Sequence, residues 1–342
     1  MSATDDAQAK LMLGGVSAAS DRIFLEAYLA PLAPILARSD VTDIYVNCPQ
    51  EAWAETLGGS VERFDMPALD AATLDRLARQ IAALSHQGIS REHPLLSATL
   101  PDGSRVQVIA PPATRGPMAI AIRKHLSSDL SLADYVEAGA FNQTRLGTAS
   151  QHMPEEDHLR RLLDAGDIPA LLSAAVRGRK NILVSGGTST GKTTFLNALI
   201  REIPAHERLI LIEDTPELLQ HHDNLVGLLA VRGSLGEARV SATDLLAASL
   251  RMRPDRIILG ELRGEEAYTF LRAINTGHPG SMSSVHADSA ERAIEQIVLL
   301  VLQAGTQLSR DDVRHYVRST VDVFVQLARI GGRRHVAEVV LA

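Results

Sequence analysis

Apolar residues in the first third of the chain follow two different periods. Residues 71–87 carry apolar side chains at helical spacing, at Leu74, Leu77, Ile81 and Leu84. Residues 95–112 alternate apolar and polar positions around Pro101-Asp102-Gly103, which predicts a β-hairpin. Three further short apolar runs predict strands at residues 41–47, 51–56 and 118–125. This mixture predicts a small α+β domain.

The second half of the chain has a different pattern of apolar residues. Short apolar runs alternate there with longer helical stretches, and such runs are typical of strands buried on both faces. Strands that alternate with helices favour a mostly parallel sheet, so the chain as a whole is predicted to be of the α/β class. The runs span residues 181–186, 208–214, 255–261, 281–287, 321–328 and 335–342.

These patterns divide the chain into four parts. Residues 1–20 are polar and predicted to be a flexible terminus, and residues 21–135 form the α+β domain, which begins with an apolar helix pair interrupted by Pro31 and Pro34. Residues 136–168 are predicted to be a linker with a helix. Residues 169–342 form the second domain.

Composition excludes several classes of protein. The 342 residues, 45% of them hydrophobic, suffice for two domains, and a net charge of −7 gives no direct nucleic-acid signal. The single cysteine, Cys48, excludes an intrachain disulfide and a cysteine-based zinc site. Residues 1–10 lack a basic signal-peptide region, and no apolar run reaches the ~20 residues of a membrane span. We therefore expect a cytoplasmic protein that contacts a membrane through partners.

The segment after the first buried run matches the P-loop pattern of nucleotide-binding proteins. It consists of Gly186, Gly187, Thr188, Ser189, Thr190, Gly191, Lys192, Thr193 and Thr194. Small residues let backbone N–H groups approach phosphate oxygens, and the following helix adds the positive end of its dipole. Lys192 is expected to reach the β- and γ-phosphates, and the Thr193 hydroxyl to bind Mg²⁺. The predicted ligands are ATP and Mg²⁺.

Acidic residues follow two other predicted strands. Glu213 and Asp214 end one run, with Glu217 just beyond, and Glu261 ends another. Ligands of open α/β sheets lie at the carboxyl ends of strands, where a carboxylate can orient the attacking water. The alternative is that these are ordinary polar strand ends. In the second acidic motif of P-loop proteins an Asp usually holds the Mg²⁺ shell, whereas here Gly260 precedes a single Glu261. The metal would then be supported by Thr193, by water and by Glu213 or Glu217.

Two histidines flank another predicted strand. His278 precedes the strand and His286 follows it. They are compatible with metal binding, but no thiol or acidic partners stand nearby in the sequence. Sensing of the γ-phosphate or contact between subunits is the preferred interpretation.

Taken in order, four motifs resemble those of the bacterial secretion traffic ATPases. GGTSTGKTT, LIEDTPEL, LRMRPDRIILGELRGEEA and TGHPGSMSSVHADS are similar to the Walker A motif, Asp box, atypical Walker B motif and His box of that superfamily. The GHPGS run and the absence of a cysteine zinc module resemble most closely the small ATPase of type IV secretion and conjugation.

The resemblance implies a fold and a set of roles. It implies a PAS-like N-terminal domain, a RecA-like C-terminal domain, a homohexameric ring and a nucleotide between the domains. Glu261 would polarise the catalytic water, and Glu213 and Glu217 would support Mg²⁺ and water. Arg105 and Arg123 match arginines that the N-terminal domain of such ATPases sends to the γ-phosphate; structural salt bridging is the alternative. Arg251 and Arg253 flank the same motifs.

The function implied is that of a motor that hydrolyses ATP to drive substrate transfer or pilus assembly. Its partners would be other secretion-system ATPases and channel components at the inner membrane, where the protein would be peripheral. Two alternatives stay open, a nucleotide-gated assembly platform and the ATPase of a tight-adherence or type IV pilus.

Overall fold

The structure is a computed structural model that describes residues 23–125, 131–137, 139–142, 144, 154–231 and 236–342. Two separate β-sheets organise it, one of six strands and one of seven. This confirms the α/β class and the mostly parallel second sheet. The predicted flexible terminus and part of the predicted linker, residues 138, 143 and 145–153, lie outside the described residues, and the domain borders stay predictions.

The first sheet is antiparallel throughout, in the order β3-β2-β1-β6-β5-β4. Its strands are β1 Val41–Val46, β2 Glu51–Thr56, β3 Val61–Asp65, β4 Leu95–Thr99, β5 Arg105–Ile109 and β6 Ala119–Arg123. Helix α1, Ala71–Leu84, packs on the sheet through the residues predicted from its period, and Leu74, Leu77 and Ile81 are buried. The Asp70 carboxylate caps this helix by accepting the Thr73 N–H at 2.7 Å.

The predicted apolar helix pair is present as short helical pieces at residues 23–36. A 3₁₀ turn, Ala30–Leu32, and a one-turn helix, Ala33–Leu36, each have a proline in the first turn. Proline is tolerated there because the N–H that it lacks has no partner within the helix. Each proline therefore starts a new turn.

The second sheet has the order β13-β12-β7-β11-β10-β8-β9. All neighbours are parallel except β12 and β13, which form an antiparallel hairpin at one edge. The strands are β7 Ile182–Gly186, β8 Leu209–Glu213, β9 Leu225–Leu229, β10 Arg256–Leu259, β11 Met282–Val285, β12 Val323–Ile330 and β13 Arg333–Leu341. The parallel strands bring their carboxyl ends to one edge of the sheet.

Helices cover both faces of the second sheet, as buried parallel strands require. They are α3 Pro154–Asp164, α4 Ile168–Arg177, α5 Lys192–Arg201, α6 Ala242–Ser249, α7 Glu266–Asn275, α8 Ala290–Gln303 and α9 Arg310–Thr320. Helix α2, Leu132–Glu137, precedes them in the chain and buries no residue. Helix α3 falls inside the predicted linker, yet its Leu159 shares a core with Leu171 and Val184. No helix in the described residues is long and apolar enough to cross a membrane.

Two strands, β3 and β9, were not predicted from the sequence. β3 has no buried residue, so its side chains lack the apolar pattern of a core strand. β9 contains Gly227, a residue that weakens a strand signal. β9 nevertheless matters, because it is the edge on which the first domain docks.

The two domains meet along this edge. The segment 113–115, between β5 and β6, forms an isolated antiparallel bridge at Thr114 with Leu228 of β9. Leu229 N–H donates to the Ala113 carbonyl, and Arg115 N–H donates to the Gly227 carbonyl, both at 2.9 Å. An edge that would otherwise expose backbone groups is thereby paired.

Candidate functional site

A cleft of about 330 Å³ lies at the carboxyl ends of β7, β8, β10 and β11. This is the edge of an open α/β sheet at which ligands bind. Its lining residues all belong to the second domain, and among them are Thr188, Lys192, Thr193, Glu217, Glu261 and His286.

The P-loop joins the buried strand β7 to helix α5. Ser189 and Gly191 have φ of +63° and +93°, left-handed conformations that turn successive N–H groups towards one point. Gly191 is the N-cap of α5, and this cap residue has no side chain that could accept the first N–H groups of the helix. The start of α5 therefore offers N–H donors and the positive dipole end to an anion.

Lys192 points into the cleft from the first turn of α5. Its Nζ donates to the Gly186 carbonyl at 3.1 Å and lies 3.8 Å from Glu261 Oε1. The ring of His286 is 3.4 Å away. Burial lowers the pKa of Lys192, and the Glu261 carboxylate partly opposes this shift.

Glu261 stands among three basic groups just after β10. It forms an ion pair with Arg263 and a polar contact with His286, whose Nε2 is 2.9 Å from Glu261 Oε1. Arg263 also lies 3.7 Å from the Asp214 carboxylate. The carboxylate predicted to act on water is thus held beside the P-loop lysine. Arg263 was not predicted from the sequence, although it lies two positions after Glu261 in the same motif.

The acidic segment after β8 closes the other side of the cleft. Thr193 Oγ1 donates to Glu217 Oε2 at 3.0 Å. Glu213 is buried, and its Oε1 accepts the N–H groups of Glu217 and Leu218 at 2.9 and 2.7 Å. Its other oxygen pairs with Arg115 of the first domain. Glu213 thus lines the cleft but is occupied in holding the segment that carries Glu217.

The oxygen donors around Thr193 suit Mg²⁺. A hydroxyl and a nearby carboxylate are the ligands that Mg²⁺ takes from proteins when phosphate oxygens and water supply the rest. The described residues contain no group of three or more His, Cys, Asp or Glu able to hold a metal by itself. Thr193 and Glu217 therefore fit a cation whose other ligands are phosphate oxygens and water.

Eight predicted site residues are not among those that line the cleft. Five of them belong to the P-loop and the start of α5: Gly186, Gly187, Thr190, Gly191 and Thr194. The other three are Arg105, Arg123 and His278. Arg105 and Arg123 line a second cavity of about 280 Å³ together with Arg251. His278 Nδ1 hydrogen-bonds to the Pro254 carbonyl at 2.9 Å, and burial lowers the pKa of its ring. Within one chain the cleft and this cavity share no lining residue. The predicted contact of these residues with a nucleotide stays a prediction.

Two arginines that the sequence did not single out approach the site from other elements. Arg115 comes from a Pro- and Gly-rich segment between two predicted strands, and no motif marks it. Arg334, on β13, packs over Gly191, where an added Cβ would lie 2.9 Å from its Cδ atom. Both become visible only when distant segments are brought together.

Comparison with known proteins agrees with this geometry. A family model described as "Type II/IV secretion system protein" matches residues 157–333, just over half of the chain. The VirB11 protein of Bartonella henselae is 39% identical over 91% of each chain, and PtlH of Bordetella pertussis is 39% identical over 94% of this chain and 96% of its own length.

A solved structure supports the same assignment over the whole chain. The crystal structure of the VirB11 ATPase from the Brucella suis type IV secretion system, in complex with sulphate, superimposes with a TM-score of 0.89 at 38% identity. The match covers 95% of this chain and 96% of that one. The chain therefore belongs to the type II/IV secretion system protein family and is a secretion ATPase like the VirB11 proteins.

Proposed function

We propose that this protein hydrolyses ATP as a hexameric ring that powers a type IV secretion system, in substrate transfer, pilus assembly or both. The observation that carries the proposal is the cleft, in which a P-loop lysine, a metal-compatible threonine and Glu261 converge. The VirB11 and PtlH relatives favour a type IV secretion system over the pilus ATPases that the motifs left open.

The P-loop supplies the binding energy for the triphosphate. The exposed N–H groups at the start of α5 and the Lys192 ammonium replace the water that phosphate oxygens lose on binding. Lys192 is 3.8 Å from Glu261 Oε1, so a γ-phosphate bound to the lysine lies close to that carboxylate. Mg²⁺, held by Thr193 and phosphate oxygens with Glu217 alongside, would neutralise charge on the β- and γ-phosphates.

Glu261 then acts on the attacking water. Its carboxylate accepts a proton as the water oxygen bonds to the γ-phosphorus and the bond to the β,γ-bridging oxygen breaks. The products are ADP and phosphate. His286 and Arg263, which pair with Glu261, orient the carboxylate before the water arrives.

Arg105 and Arg123 are proposed to act on a nucleotide bound by a neighbouring copy. Among the described residues Arg105 has no carboxylate partner, whereas Arg123 Nε donates to Asp43 at 2.8 Å. An arginine without a partner is suited to a phosphate that comes from outside its own chain. This is the support for placing the complete site between subunits of a ring.

The proposed partners are other ATPases and channel components of the secretion system, with the protein peripheral at the inner membrane. In this setting the cycle of nucleotide binding and loss moves the two domains, because bound phosphates attract the arginines and released phosphate does not.

The test is the Glu261→Gln variant of the purified protein, measured for ATP binding by calorimetry and for phosphate release. Binding is expected to persist while turnover falls by about 10² to 10⁴, the contribution typical of a general base. Glu265→Gln is the matched control, since Glu265 is exposed and lies four positions further along. Normal turnover by Glu261→Gln refutes the assigned chemistry.

Complementation of a strain that lacks the gene separates the motor from an assembly platform. A motor requires turnover, so Glu261→Gln is expected to abolish secretion. Secretion that persists with this variant identifies a platform whose nucleotide state, and not its turnover, matters.

A further inference from the structure

Arg115 belongs to the first domain, and its side chain pairs with Glu213, a carboxylate that lines the nucleotide cleft of the second domain. Among the described residues, no other side chain of the first domain is seen to pair with a carboxylate of this cleft. Its backbone is fixed by the pairing of segment 113–115 with β9, because its own N–H donates to the Gly227 carbonyl at 2.9 Å. The side chain is 13% exposed and so has little freedom to move. Its position is therefore set by how the first domain docks.

The guanidinium bridges two parts of the acidic segment. One nitrogen, Nη1, donates to the Leu218 carbonyl at 2.6 Å, and the other, Nη2, pairs with Glu213. A planar fork can hold a carbonyl and a carboxylate at once, which an ammonium group does less well. Arg115 therefore clamps residues 213–218 at both ends.

Glu213 connects Arg115 to the residues that line the cleft. Its Oε1 accepts the N–H groups of Glu217 and Leu218, so the carboxylate fixes the backbone of residue 217. The Glu217 side chain in turn accepts the Thr193 hydroxyl at 3.0 Å. A continuous chain of polar contacts thus runs from the first domain to the residue that would hold Mg²⁺.

We propose that Arg115 is a positioning residue through which the first domain sets the place of Glu217 beside Thr193, so that domain docking controls hydrolysis. The proposal rests on the proposed ATPase chemistry and adds a coupling between domain docking and ATP hydrolysis. Without Arg115 the buried Glu213 carboxylate loses its cation, and the segment that carries Glu217 loses its link to the first domain.

The experiment compares Arg115→Ala and Arg115→Lys with the native protein in steady-state ATP hydrolysis at varied Mg²⁺. Removal of a residue that supports a metal site typically costs about 10- to 100-fold, so Arg115→Ala is expected to lower kcat by that factor. The KM for ATP is expected to change little, because the P-loop is intact, and half-maximal activity is expected to need more Mg²⁺. Arg115→Lys is expected to recover part of the loss.

Glu55→Gln is the matched control. It breaks another ion pair between the domains, since Glu55 pairs with Arg253 at 2.7 Å, but it leaves residues 213–218 untouched. Its Mg²⁺ dependence is expected to equal that of the native protein. An equal change in both variants shows that any loss of docking matters, and overturns a special role for Arg115.

A double-mutant cycle with Glu217→Gln addresses the mechanism. If Arg115 acts through Glu217, Arg115→Ala is expected to add little to the defect of Glu217→Gln. Additive defects, or an unchanged Mg²⁺ dependence in soluble Arg115→Ala protein, overturn the proposal. Glu213→Gln gives the same readout should Arg115→Ala not fold. Failure of the ATPase chemistry itself is recognised separately, by normal turnover in Glu261→Gln.

Discussion

The nucleotide cleft and the second cavity, here called the arginine cavity and lined by Arg105, Arg123 and Arg251, differ in how their charged side chains are paired. In the cleft the Lys192, Arg263 and His286 side chains face Glu261, so basic and acidic groups offset one another. In the second cavity Arg105 and Arg251 form no ion pair with any described residue. The first cavity is balanced by the chain itself and the second is not.

This difference indicates that the two cavities contribute differently to ATP binding and to turnover. The P-loop belongs to the second domain, so its geometry is expected to survive changes in domain arrangement, whereas Glu217 on the other side of the cleft is tied to the first domain through Arg115. The arginine cavity has surplus positive charge, which an anion from outside stabilises. Binding should therefore depend on the cleft alone, whereas turnover should depend on both cavities.

The largest effect is expected from Lys192→Ala, which breaks the balance of the cleft. Without the ammonium group, the β- and γ-phosphates lose their principal positive partner and Glu261 loses a counter-charge. Both ATP binding and turnover are expected to fall below detection in calorimetry and phosphate-release assays. Native-like binding would show that the cleft is not the nucleotide site.

Gly191→Ala is expected to weaken binding next most strongly. Gly191 has φ of +93°, a conformation that costs an L-residue roughly 1–2 kcal/mol, and a Cβ there meets the Arg334 side chain. We expect the KM for ATP to rise by about 5- to 30-fold, the factor that corresponds to that energy. Gly88→Ala, which meets nothing within 4 Å, is the control and should leave KM unchanged.

Arg105→Ala sharpens the comparison, because it removes charge from the second cavity only. ATP affinity is expected to stay within about twofold, while kcat falls by at least tenfold, a cautious fraction of what arginine fingers contribute. Mixing this variant with Lys192→Ala protein is expected to restore some activity if the two cavities meet between subunits. No restoration in mixed assemblies, verified by mass spectrometry, contradicts a shared site.

The smallest expected effect concerns His278 and pH. Burial favours the neutral ring and lowers its pKa, and Arg123 and Arg253 add to this shift. The unfolded chain therefore binds a proton more readily below pH of about 6.5, and the free energy of unfolding falls as pH drops through that value.

Urea denaturation at pH 7.5 and 5.5 measures this contribution. The His278→Gln variant is expected to lose less stability between the two pH values than the native protein does. His335→Gln is the control, because His335 is exposed. An identical pH dependence in His278→Gln and native protein contradicts the predicted linkage.

Much of the fold followed from local pattern. Strands β7, β8, β10, β11 and β12 were predicted from apolar runs that are largely buried in the structure, and α1 from its period. The run at β13 was also predicted to be a buried strand, but β13 is an edge strand without a buried residue, so its predicted burial was wrong. β9 was missed, because Gly227 and its edge position weaken the local signal. The pairing of segment 113–115 with β9 had no sequence signature, since long-range strand pairing depends on which edge is left open.

The sequence by itself determined the phosphate-binding loop and its acidic companions, since each motif is local and its spacing dictates a strand, a turn and a helix. The tertiary structure decided which charges face one another. It placed Glu261 beside Lys192, gathered Arg105 and Arg123 into a separate cavity and brought Arg115 to Glu213. Electrostatic contacts depend on distance in space and on burial, and neither quantity can be read from the local spacing of residues along the chain.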